Sequence, residues 1–148
     1  MIRIESGPFD PGAELAAFAA RVPGAGAIAS FTGLVRAASD GDTVTVLELE
    51  HYPALTGKTI AAIGEEASTR FPLAGLVIVH RHGAMAPGEP IVFVAAAAQH
   101  RRAAFGAVDY MMDRLKTEAP FWKREHGPGG ARWIEARPED VEDRARWG

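Results

Sequence analysis

The sequence predicts an α+β fold: one domain over residues 1–148, with a mixed or antiparallel sheet, helices packed on it and a C-terminal hairpin. Three observations carry this. A length of 148 residues suits a single hydrophobic core. Strand-like and helix-like segments follow one another without strict alternation, which disfavours a doubly wound parallel sheet. Gly127, Pro128, Gly129 and Gly130 separate two short segments near the C-terminus, a composition that suits a hairpin tip.

Taken in order, Ile2 and Ile4 begin a short strand, and Asp10 caps a helix with Pro11 at its first position, running to about Arg21. Pro23 and Gly24 break it, and Ala27 to Val35 reads as a strand with Arg36 at its exit. Ser39, Asp40, Gly41 and Asp42 form a polar turn, after which Leu47 and Leu49 alternate with Glu48 and Glu50. Pro53 opens a helix to Arg70, with Leu55, Ile60, Ile63 and Ala67 at approximate helical spacing. Leu76–Val79 and Ile91–Ala98 are continuous apolar runs, which fits interior strands. Gln99–Leu115 carries the stripe Ala104, Val108, Met111 and Leu115 of a helix. Pro120 disfavours a helical Ala119, so Phe121–Glu125 is extended and pairs with Arg132–Glu135. Residues from about 138 to 148 read as a charged, mobile tail, with Trp147 available to dock.

With 47% hydrophobic and 24% charged residues and a net charge of −3, the composition is that of a soluble globular protein. It argues against a whole-surface nucleic-acid binder. MIRIESGPFD has no apolar core of a leader, and no apolar run approaches the roughly 20 residues of a membrane span, so cytoplasmic residence is expected. There is no cysteine. That excludes disulfides, thiolate ligands and a persulfide on this chain, so any sulfur it handles is carried by another molecule.

Basic residues gather at element ends: Arg36 after a strand, His100 and Arg101 at a helix start, Lys116 at that helix's end, and Lys123 past Pro120. A helix start offers free N–H groups and a positive dipole end, so His100 and Arg101 suit a phosphate or carboxylate; a solvated first turn explains them as well. Lys116 has the plainer reading of a cation at a helix C-terminus. Strand alternation puts Lys123 on the side of Phe121 and Glu125, opposite Trp122 and Arg124, where apolar neighbours would lower its pKa. Pairing with Glu125 on a surface strand is the alternative. His80 and His82 share a strand face at metal-pair spacing, but no cysteine or matched acid completes a site, and His51 reads as structural. No GxGxxG, P-loop, GxSxG or HExxH occurs. Phe121, Trp122 and Trp133 near basic residues fit a hairpin core better than base stacking.

Several segments together resemble the molybdopterin synthase catalytic (large) subunit family. They are FTGLVR (Phe31–Arg36), LEHYP (Leu49–Pro53), HRHG (His80–Gly83), PGEPIVFV (Pro87–Val94), AQHRRAAF (Ala98–Phe105), MDRLKTEAPFWKRE (Met112–Glu125) and RWIEAR (Arg132–Arg137). The match spans nearly the whole chain, and LKTEAPFWKRE is its most specific part.

The resemblance implies an α/β hammerhead type of α+β fold and a homodimer. It also implies a small ubiquitin-like sulfur-carrier subunit at each end, giving a heterotetramer. The carrier's C-terminal Gly-Gly thiocarboxylate would enter a pocket holding cyclic pyranopterin monophosphate, and two transfers would form the dithiolene of molybdopterin in molybdenum cofactor biosynthesis. By the same resemblance Lys116 and Lys123 are the catalytic residues, stabilising developing negative charge and assisting proton transfer. Arg36, His100 and Arg101 bind substrate, the arginines suiting the cyclic phosphate. Arg124 and Glu125 flank the pocket, and Arg137 reaches the partner protomer's site. Leu34 departs from the lysine some members carry there. No metal or cofactor of the enzyme's own is implied, since the pterin is substrate. Two other readings remain open: a carrier-binding scaffold without turnover, and a metal-dependent phosphodiesterase using His80 and His82.

Overall fold

The computed structural model describes residues 1–148. Its elements are β1 (Ile2–Glu5), α1 (Pro11–Arg21), β2 (Ala27–Leu34), β3 (Ala38–Ser39), β4 (Asp42–Thr43), β5 (Val46–His51) and α2 (Pro53–Arg70), then β6 (Leu73–Arg81), β7 (Gly83–Met85), β8 (Pro90–Ala98), α3 (Arg101–Glu118), β9 (Phe121–Gly127), β10 (Gly130–Ile134) and α4 (Pro138–Ala145). The strands divide into two four-stranded sheets, ordered β1-β6-β8-β2 and β10-β9-β5-β7, with β3 and β4 forming a separate ribbon. Only β1 and β6 pair in parallel; every other pairing is antiparallel.

The first sheet is buried on both faces, which explains why β8 is apolar without alternation. Ile78, Val94, Ala96 and Ala98 face Ile60, Ile63 and Ala67 of α2 and Ala104, Ala107 and Met111 of α3. Val77, Val79, Phe93, Ala95 and Ala97 point the other way, onto Phe18 of α1. Alanine at successive positions of β8 leaves room for helices on both sides. Helix α1 begins as expected: Asp10 accepts from Gly12 N at 2.9 Å and from Ala13 N at 3.3 Å, and Pro11 takes the first position. Such a cap contributes about 1 kcal/mol.

The second sheet is where the structure departs from the sequence reading. Strand β5 pairs with β9 from Val46↔His126 to His51↔Phe121, so the hairpin β9–β10 is the outer half of a sheet. Gly127 is needed at this junction, because a Cβ there would lie 2.3 Å from the Thr43 carbonyl oxygen. The short β7 was not foreseen; Gly83, at φ +97°, turns the chain out of β6 into it. The segment expected as a mobile tail from about 138 to 148 forms α4. Trp147 packs edge-on against Tyr110 and Phe71, with ring centroids 5.4 and 6.1 Å apart. No helix is long and apolar enough to cross a membrane.

Candidate active site

A third apolar cluster, Val35, Leu47, Leu49 and Met85 with Ile91 and Phe121, forms the floor between the two sheets. Above it opens a pocket of about 570 Å³. Its walls come from the exit of β2, the end of α3, the inner face of β9 and the segment after β10. Each wall delivers a cation: Arg36, Lys116, Lys123 and Arg137.

Strand alternation places Phe121, Lys123 and Glu125 on the pocket side of β9. Protein packs densely around the Lys123 amine, although the residue keeps open surface toward the pocket. This burial lowers its pKa, and repulsion from Lys116 and, more weakly, Arg36 adds to the effect, while Asp140 and Glu125 oppose it. Lys116 Nζ lies 4.0 Å from Asp140 Oδ1, and Arg137 Nε lies 3.5 Å from Glu139 Oε2. Glu125 is held by Arg132 at 3.4 Å.

Beneath Lys123, the His80 ring stacks on Phe121 with centroids 4.0 Å apart. His80 is buried at the edge of the pocket, and burial pushes its pKa down to about 4, with smaller contributions from Lys123, His51 and His82. Its Nδ1 lies 3.0 Å from the Arg81 carbonyl oxygen, so Nδ1–H donates and the neutral tautomer is defined. His82 packs instead against His51, with centroids 4.2 Å apart. The two histidines considered as a metal pair therefore have separate packing roles, and no cluster of three metal-ligating side chains forms.

Of the residues picked out from sequence, the pocket assembles Arg36, Lys116, Lys123, Glu125 and Arg137. Arg124 is not part of the pocket lining: it lies on the opposite face of β9, 2.7 Å from Glu48 and over the Trp133 ring. Its guanidinium and the neighbouring His126 hold the Glu48 carboxyl below the usual range. His100 and Arg101 are also absent from this pocket. They open α3 while Lys116 closes it, and fifteen residues at 1.5 Å each separate the two ends by roughly 22 Å. Arg137, expected at a partner's site, lines the pocket of its own chain. Leu34, in place of the lysine of some relatives, is half exposed on the pocket wall. Sequence reasoning missed Asp140, whose only signal was its position three residues beyond Arg137.

A second cleft of about 400 Å³ lies at the hairpin tip. Its Arg132 is occupied by Asp42, at 3.2 Å, and Glu125, and of the sequence-derived residues only Glu125 reaches it.

A pocket with four cations over an apolar floor, with Glu125, Glu135 and Asp140 also in its lining, suits a small anionic substrate. Residues 4–118 match the family model described as MoaE protein. A molybdopterin synthase catalytic subunit from Caulobacter vibrioides is 51% identical over 147 residues, covering 99% of this chain and 97% of the relative. The solved molybdopterin biosynthesis MoaE protein from Burkholderia ambifaria superposes with a TM-score of 0.85 at 48% identity, covering 100% of this chain and 97% of that one. The crystal structure of molybdopterin synthase from Staphylococcus aureus matches with a TM-score of 0.79 at 30% identity, covering 88% and 94%. The chain belongs to the MoaE family, whose members include the catalytic subunits of molybdopterin synthase.

Proposed function

We propose that this chain is the sulfur-inserting subunit of a molybdopterin synthase working in the cytoplasm. It takes sulfur from the C-terminal thiocarboxylate of a small ubiquitin-like carrier and places it on cyclic pyranopterin monophosphate, twice, to form the dithiolene. The observation that carries this reading is the convergence of Arg36, Lys116, Lys123 and Arg137 on one pocket in a chain with no cysteine. The pocket volume fits a bicyclic or tricyclic ligand, the cations fit its phosphate, and the missing thiol requires an external sulfur donor.

Within the pocket, Arg36 and Arg137 bind the phosphate by charge-assisted hydrogen bonds. The amine with the depressed pKa, Lys123, moves a proton near neutral pH, and Lys116 stabilises the negative charge that develops as the thiocarboxylate attacks. His100 and Arg101 act from a second copy of the chain, because α3 holds them too far from their own Lys116. Exposed Ile28, Phe31 and Leu34 on β2, an edge strand, and exposed Phe105 on α3 supply apolar surface for such a homodimer. Two carriers complete a heterotetramer.

Mixing the chain with thiocarboxylated carrier and cyclic pyranopterin monophosphate tests the proposal, with molybdopterin detected through its fluorescent oxidation product. Product that requires all three components is expected. A stable complex with the carrier but no product would leave a scaffold role instead.

A further inference from the structure

Helix α4 is anchored by contacts outside the pocket. Trp147 Nε1 donates to Asp113 Oδ2 at 2.7 Å, and Arg146 Nη2 reaches the same oxygen at 2.6 Å. Arg144 binds Glu118 at 3.1 Å. All these anchors lie on α3, the helix that also carries Lys116. The far end of α4 is thereby fixed, and its first turn is carried to the pocket mouth.

Two acids occupy that first turn, Glu139 and Asp140. Either one would satisfy the positive end of the helix dipole. They are placed differently. Glu139 has 64% of its side chain exposed and pairs with Arg137, whereas Asp140 is 18% exposed, lines the pocket and faces Lys116 at 4.0 Å. Helix capping alone gives no reason for the inward acid to meet the lysine pair.

We propose that Asp140 is a positioning residue for the two lysines: delivered by a helix latched through Trp147, its carboxylate holds the Lys116 ammonium in place and offsets the positive charge around Lys123. The proposal rests on the synthase reading above. The other charged or titratable groups facing the pair are Arg36 from the exit of β2, His80 from β6 and Glu125 from β9, with Glu135 and Arg137 from the segment after β10. Glu125 is shared with Arg132, so Asp140 is the carboxylate within 4.0 Å of a pocket lysine. Its effect on Lys123 opposes that of burial and of Lys116. Removing its charge therefore lowers the Lys123 pKa further, and the limb of the pH profile that belongs to Lys123 moves to lower pH.

The test uses the full chain with thiocarboxylated carrier and pterin substrate, comparing wild type, Asp140→Asn and Asp140→Glu. Asp140→Asn is expected to lower kcat about tenfold, the scale on which a misplaced proton-transfer group acts, with little change in KM for the carrier. Its pH limb moves to lower pH, and Asp140→Glu restores most of the rate. NMR of ¹³Cε-labelled lysine follows Lys123 directly and is expected to show a lower titration midpoint in Asp140→Asn. A rate loss with the Lys123 titration unmoved would mark a merely structural role and overturn the proposal. Wild-type rate in Asp140→Asn would overturn it too, while leaving the synthase reading intact. No product from the wild type would remove that reading, and with it the role of Asp140 in the reaction.

Discussion

Replacing His80 with Phe should make the protein more resistant to acid. In the folded chain the imidazole is buried against Phe121, and burial pushes its pKa from 6.5 down to about 4. Between these values the unfolded chain binds a proton that the folded chain refuses, so stability falls as pH drops from 6.5 toward 4 and rises in the opposite direction. At about 1.4 kcal/mol per pH unit, the full effect is about 3 kcal/mol, a large share of the 5–15 kcal/mol typical of a domain. Phe keeps the stacking surface and removes the titrating group, but it also gives up the hydrogen bond to the Arg81 carbonyl, worth about 1 kcal/mol. Urea unfolding at pH 7.0 and 4.5 is the assay. Wild type should lose about 2 kcal/mol more than His80→Phe over this interval; equal losses would show that His80 is not the group responsible, and the account of its burial would fail.

Lys116→Ala is expected to abolish product formation while carrier affinity, measured by calorimetry, stays within a few fold; retained turnover would remove Lys116 from catalysis. Arg36→Ala should act chiefly on pterin affinity, weakening it by about tenfold as one charge-assisted contact is lost, and unchanged affinity would take Arg36 out of the phosphate site. Trp147→Ala removes the aromatic contacts and the Asp113 hydrogen bond that hold α4, at about 2 kcal/mol. Hydrogen exchange should then quicken in α4 and not in α3, whereas unchanged protection in α4 would contradict the latch.

Resemblance to the family singled out Lys116 and Lys123 in the sequence; spacing alone left each with a plainer structural reading, and periodicity shows only which side of its element each residue takes. Alternation along β9 puts Lys123 beside Phe121 and Glu125, and the same rule assigns Arg124 to the outer face, where it meets Glu48. The expectation that Arg124 flanks the pocket comes from the family resemblance, and strand alternation does not support it. Position in α3 located His100, Arg101 and Lys116 correctly along the helix, but only the helix's length shows that its ends cannot serve one pocket in one chain. The two-sheet division was hidden because β5 pairs with β9 across 70 to 80 residues, a contact that no local pattern encodes. Helix α4 was hidden for another reason. Charged residues dominate its sequence, and it is held by Trp147 and by ion pairs to α3, which are tertiary contacts. In the sequence alone Asp140 is therefore just one acid of a charged tail.

Sulfur transfer by this chain is tested most directly by following the sulfur. The carrier is prepared with ³⁴S in its thiocarboxylate and incubated with this chain and cyclic pyranopterin monophosphate in buffer of ordinary isotopic composition. Mass spectrometry of the product should find ³⁴S in both dithiolene positions, since a chain without cysteine has no thiol of its own to contribute. Product carrying unlabelled sulfur, or labelled carrier consumed with no sulfur reaching the pterin, would contradict the account.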